Sequence, residues 1–186
     1  MTSATFEVSE RELREGLPVC LNVPRWVDEV ANGGPYASLD DLVDAAGLAA
    51  TPLTADEVDQ ALADHPRIGE RSTGSGGSSY FSAIEQAASA SDDPELAARL
   101  AEGNRAYEKR FGRVFLIRAA GRSRPEILAE LERRLLLPPE DEVKVVAGEL
   151  RDIALRRVRQ MFGGPSVLSG GVRGGRPPRG DEAEQA

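Results

Sequence analysis

The chain has 186 residues, one domain's worth at roughly 100–200 residues per domain, and enough to bury a core without disulfide or metal staples. Asp and Glu number 31 against 23 Lys and Arg, a formal charge of −8 that argues against nucleic acid or anionic membrane as a partner. The single cysteine, Cys20, and the single histidine, His65, exclude an intrachain disulfide, zinc fingers and iron–sulfur clusters, and leave one imidazole for proton transfer near neutral pH. A carboxylate-only site for Mg²⁺ or Ca²⁺ stays open.

Glu7 and Glu10 interrupt a start that has no basic n-region before an apolar stretch, so no secretory signal is expected. No apolar run approaches the roughly 18–20 residues that span a bilayer, and the chain is expected to be soluble and cytoplasmic. Ser9 and Glu12 form a capping box that opens the first helix. Pro18 and Pro24 read as interruptions, followed by a short helical turn over 25–30 that ends at Asn32-Gly33-Gly34-Pro35. Ser38 caps a segment with Leu39, Leu42, Val43 and Ala46 at helical spacing. Thr54 and Glu57 make a second capping box, whose helix must stop near Asp64 because His65 precedes Pro66.

Residues 71–79 are rich in Gly and Ser and predict a flexible loop, with helix returning from Tyr80 to about Ala90. Pro94 suits the first position of a long helix. Leu96, Leu100, Tyr107, Phe111, Val114, Phe115 and Arg118 fall on or near one stripe of it, and Gly121 ends it. Ser123 and Glu126 form a third capping box before Leu128, Leu131 and Leu135, and Pro138-Pro139 precede a last helix over 140–162. Residues 163–186, rich in Gly and Pro, are expected to be a disordered tail. No repeat and no convincing strand pattern is present. The prediction is an all-α domain over 1–162 followed by that tail.

Three places could carry chemistry. His65 sits at a helix C-terminus, which favours its protonated form, and Pro66 braces it. A stiffly presented imidazole suits general acid–base work, although an ordinary surface or core histidine is the plain alternative. Ser82, Glu85 and Gln86 share one helix face within an apolar stretch, either as a solvated polar face or as a partly desolvated carboxylate able to handle a proton. In the last helix Val143, Val146, Leu150 and Ile153 make a core stripe that lands next on Arg157, while Arg151 and Arg156 fall on solvent faces. A buried guanidinium needs an ion-pair partner or an anionic ligand. Asn104 lies on the apolar stripe as a structural bracket. Cys20 has no basic neighbours to activate it, and the Arg/Gly-containing tail is a weak RNA-binding signal against its acidic end.

The motifs taken together resemble a known family. Pro24-Arg25-Trp26, His65-Pro66-Arg67-Ile68-Gly69-Glu70, Ser82-x-x-Glu85-Gln86, Asn104-x-x-Tyr107-Glu108-x-x-Phe111-Gly112-x-x-Phe115, Arg118-Ala119-Ala120-Gly121-Arg122-Ser123 and Ile153-x-x-x-Arg157 occur in order. This series, running from about Leu13 to Met161, resembles OHCU decarboxylase, which acts on 2-oxo-4-hydroxy-4-carboxy-5-ureidoimidazoline in uric acid degradation.

The resemblance implies an all-α homodimer that releases CO₂ and yields (S)-allantoin without metal or organic cofactor. It implies that His65 is the acid–base catalyst, with Glu85 beside it. Pro66, Ser82 and Gln86 would line the substrate site, and Arg157 would bind the substrate's anionic part. The main chain of Phe115, Leu116, Ile117, Arg118 and Ala119 would also contact ligand. The sequence departs from the family pattern at Ala88, in the plain loop 71–79 and in the tail after 163. The competing reading is a non-catalytic helical module that binds a partner peptide in an apolar groove.

Overall fold

Helices begin at the caps read from the sequence at Ser9, Ser38, Thr54 and Ser123, which follows from the four orphan N–H groups that every helix start must satisfy. The computed structural model describes residues 6–63, 93–119 and 121–164. Among these residues it contains seven α-helices and no strand, as expected for the all-α class. They are α1 (Glu10–Cys20), α2 (Pro24–Asn32), α3 (Leu39–Ala49), α4 (Ala55–Leu62), α5 (Pro94–Phe111), α6 (Arg124–Arg134) and α7 (Pro139–Phe162). All three predicted capping boxes are formed, at Ser9/Glu12, Thr54/Glu57 and Ser123/Glu126. The loop 71–79, the helix from Tyr80 and the tail from 165 lie outside the described residues.

Two expectations about prolines and one about a helix end need correction. Pro18 does not interrupt α1 but sits inside its last turns. A proline there removes one backbone donor, and burial of Leu13, Leu17 and Cys20 on the same face outweighs that loss. Pro24 does not break the chain either. It opens α2, where its missing N–H would have been an orphan in any case. Finally, α5 does not reach Gly121. It ends at Phe111 because Gly112 takes a left-handed conformation, φ 69°, its N–H closing on the Glu108 carbonyl at 2.8 Å.

The helices bury two separate apolar clusters. The larger is built from α1, α2, α3, α4 and α7 around fully enclosed Trp26, whose indole N–H donates to the Ala46 carbonyl at 2.9 Å. The smaller lies between α5 and α6 and holds Leu100, Tyr107, Ile127, Leu128 and Leu131.

Between the two runs the segment after Gly112, irregular by hydrogen bonding over 114–119. Its side chains alternate. Val114 and Leu116 pack with the larger cluster, whereas Phe115, Ile117 and Ala119 pack with the smaller. Residues 114–119 thus form a strap whose period of two places successive side chains in opposite cores.

Candidate functional site

Helix α7 delivers the predicted anion-binding residue. Arg157 is 1% exposed, and Leu150 and Ile153 on the same stripe are buried with it. The stripe is offset at its start. Val143 is half-buried, and the core-facing place is taken by Glu142, which has a cationic partner waiting there. Arg157 also acts on Cys20. Burial pushes that thiol up to about 12, with the Arg157 charge opposing the shift. The thiol therefore stays protonated, as the absence of basic sequence neighbours suggested.

The strap is fixed from two sides by side chains the sequence reading did not single out. Arg134, at the end of α6, is 0% exposed and donates from Nη1 to the Leu116 carbonyl at 2.8 Å. Its guanidinium carbon lies 4.7 Å from the centre of the Phe115 ring and 5.8 Å from that of Tyr107. The guanidinium is held in turn by Glu142, whose Oε1 accepts from Arg134 Nε at 2.9 Å, from Arg134 Nη2 and from the Tyr107 hydroxyl. Glu142 Oε2 is buried with no hydrogen-bond partner among the described residues. Burial, and next the hydrogen bond it gives to Glu142, raise the Tyr107 phenol well above its ordinary value.

On the other side the Arg118 N–H donates to Glu149 Oε2 at 2.6 Å, and Glu149 Oε1 accepts from Arg122 Nη1 at 3.3 Å. Glu142 and Glu149 stand seven residues apart on α7, two turns along one face. Further on, the Ala119 carbonyl accepts from the Arg122 N–H at 3.0 Å. The N–H groups of Ile117 and Ala119 meet no acceptor among the described residues, although both residues are buried. Buried backbone donors are seldom left without a partner, so these two are available to a ligand.

A depression of about 350 Å³ is lined by Arg118, Asp152, Leu155, Arg156 and Arg159. Arg156 is half-buried here and is not the plain solvent residue its position on the helical wheel suggested, whereas Arg151 is exposed as expected. Three guanidiniums around one depression make a locally positive surface on a chain of charge −8. Asn104 is buried on α5 as predicted.

His65, Pro66, Ser82, Glu85 and Gln86 all lie outside the described residues. Of the predicted site residues the structure describes Phe115, Leu116, Ile117, Arg118 and Ala119 on the strap, which is tied to α7 through Arg118 and Glu149, and Arg157 further along that helix. Among the described residues no group of three or more His, Cys, Asp or Glu side chains is placed to hold a metal ion. No described helix is long and apolar enough to cross a membrane.

The chain is 28% identical over 160 residues to the uric acid degradation bifunctional protein TTL of Arabidopsis thaliana, a match covering 84% of this chain. It spans about half of that protein's length, 48%. It is 32% identical over 136 residues to the mouse (Mus musculus) 2-oxo-4-hydroxy-4-carboxy-5-ureidoimidazoline decarboxylase, covering 71% of this chain and 75% of that one. Among solved structures it superposes on an OHCU decarboxylase crystallised in the presence of (S)-allantoin with a TM-score of 0.67 at 24% identity. That match covers 81% of this chain and 99% of the other. A second likeness, to an (S)-allantoin synthase, has a TM-score of 0.58 at 17% identity over 82% of this chain and 54% of that one. Both likenesses speak for the fold. Residues 7–159 match the OHCU decarboxylase family, and the chain belongs to that family.

Proposed function

We propose that the chain removes CO₂ from 2-oxo-4-hydroxy-4-carboxy-5-ureidoimidazoline and yields (S)-allantoin, without metal or organic cofactor. It works as a cytoplasmic homodimer, with residues 1–162 as the catalytic domain and 163–186 as a tail rich in Gly and Pro. The observation that carries the reading is the match of residues 7–159 to the decarboxylase family, and Arg157, 1% exposed on α7, is the guanidinium the reading assigns to the substrate. The substrate brings a carboxylate that a guanidinium fork fits.

The chemistry asks little beyond placement and one proton carrier. The bond from the hydroxyl-bearing ring carbon to the carboxylate breaks, and CO₂ departs. The electron pair moves into a double bond with the neighbouring carbon, while that carbon's imine nitrogen takes a proton. The ureido-bearing carbon then receives a proton as the hydroxyl proton leaves and the carbonyl of allantoin forms. His65, with Glu85 beside it, handles these protons from one side of the ring, so a single enantiomer results. Ser82, Gln86 and Pro66 hold the ring, and the main-chain N–H groups of Ile117 and Ala119, which meet no acceptor among the described residues, bind ureido or carbonyl oxygens. Arg157 binds the carboxylate, and the guanidiniums of Arg118, Arg156 and Arg159 offset the repulsion of a net-negative chain for an anion.

The test is stereochemical. Allantoin is formed from freshly oxidised urate with and without the protein, and its optical rotation is followed. Uncatalysed decay gives the racemate, and the protein is expected to give the (S) enantiomer at an increased rate. Racemic product at the uncatalysed rate sinks the reading.

A further inference from the structure

The buried cluster of Tyr107, Arg134 and Glu142 has no part in the chemistry above, and its geometry is aimed at the strap. We infer that Arg134 is a positioning residue for the substrate. By gripping the Leu116 carbonyl at 2.8 Å, it sets where the neighbouring main-chain donors of Ile117 and Ala119 stand. The inference rests on the decarboxylase reading of 115–119.

Three observations point the same way. The guanidinium uses all three of its nitrogens: Nη1 on Leu116, and Nε and Nη2 on Glu142. Its orientation is therefore fixed by Glu142, which the Tyr107 hydroxyl fixes from the third helix. Cost is the second. Arg134 and Glu142 are 0% and 1% exposed, and one oxygen of the carboxylate meets no donor among the described residues. An apolar trio of similar volume would stabilise the fold as well or better, so stability alone does not account for a polar cluster here. Location is the third. The cluster joins α5, α6 and α7 at the one carbonyl that lies a single residue before Ile117, and Glu149 grips the next N–H but one, at Arg118. Both flanks of Ile117 are thereby pinned while its own N–H meets no acceptor among the described residues. This is what a main-chain contact must have if it is to be held within a few tenths of an ångström of its working position.

The experiment separates positioning from packing. In the triple variant Tyr107→Phe, Arg134→Met, Glu142→Leu every polar member is removed together, so no buried charge is stranded. The thermal midpoint is expected to stay near wild type or rise, while KM for the substrate made from freshly oxidised urate rises about 10- to 100-fold. The milder Arg134→Lys keeps the charge opposite Glu142 but gives up the fork that reaches Leu116 at the same time. It is expected to raise KM several-fold, with amide exchange at 115–119 faster by about 10-fold and exchange in α1 and α3 unchanged. If the triple variant does not fold, Arg134→Lys decides alone. KM and kcat within two-fold of wild type in a folded variant overturn the inference, as does unchanged exchange over 115–119. A wild-type protein without activity on this substrate overturns the decarboxylase reading instead, and the exchange result then still decides whether the grip exists.

Discussion

The main-chain N–H of Arg118 and the side chain of Glu149 are joined by a 2.6 Å hydrogen bond, which ties the strap between the two cores to the middle of α7. A carboxylate accepting from a backbone N–H in a largely enclosed place is worth about 2 kcal/mol. Glu149→Ala is expected to cost about that much in stability and to raise KM, because the strap loses its hold on one side. Glu149→Gln keeps an acceptor oxygen and is expected to restore most of both. Equal KM in the Ala and Gln variants would show that this bond does not place the strap.

Arg157 offers a sharper comparison, since α7 also carries Arg151 on an exposed face. Arg157→Lys preserves the charge and loses the two-pronged geometry. An increase of about 10-fold in KM is expected, against no change for Arg151→Lys. Initial-rate kinetics on both variants settle the matter, and an unaltered KM in Arg157→Lys removes it from the substrate site.

For His65→Asn the expectation is a drop in turnover of roughly 10²-fold or more, as for loss of an acid–base group, with the helical circular dichroism spectrum retained. Near-wild-type turnover in the folded variant would rule the imidazole out as the proton carrier.

The caps and helix spacings were legible in the sequence because they are local. Ser9/Glu12, Thr54/Glu57 and Ser123/Glu126 declare themselves within four residues, and each forms as read. Arg157 was legible because it continues an apolar stripe. Arg134 and Glu142 were not, because each looks like a solvent residue until its partner is known, and Pro138-Pro139 lie between them. The strap was missed for a different reason: its residues Val114, Phe115 and Arg118 happened to extend the stripe of α5. Gly112, following Lys109 and Arg110, was the available stop signal. The apolar run 114–117 with its β-branched and aromatic members was the available sign of buried extended chain.

Acid should reveal a second ion-pair system, at Glu57. Its carboxyl is lowered to about 2, first by the Arg25 guanidinium that donates to it and then by the cap at Thr54. Arg25 also donates to the Ala49 carbonyl at 3.0 Å, so α2, α3 and α4 meet there. Arg113 lowers Asp59 on α4 in the same sense. Because the folded values lie below the ordinary carboxylate range, these groups stabilise the fold above about pH 4.5. That contribution is lost as pH falls from there toward 2. Thermal midpoints of wild type and Glu57→Gln at pH 7, 4.5 and 3 should converge as the pH drops. A constant difference across the three would contradict the assignment.

Two helix glycines should respond to alanine with opposite signs. A Cβ on Gly103 would stand 2.6 Å from Leu131 Cδ2, a fully buried side chain in the seam of α5 and α6. One on Gly148 of α7 would meet nothing within 4 Å. Gly103→Ala gains about 1 kcal/mol of helix propensity and loses about 1–3 kcal/mol to overpacking, so a net loss is expected. Gly148→Ala keeps the gain of about 1 kcal/mol. Denaturant titrations of the two variants check the signs.

The alternation of 114–119 between two cores also determines how faults spread. Leu17 and Leu131 lie in different clusters and on helices far apart in sequence, yet each cluster rests against one face of the same six residues. Damage seeded in either half of the molecule arrives at the same backbone atoms. In genetic terms, unrelated packing defects should therefore converge on one phenotype, lost turnover in a chain that is still largely folded.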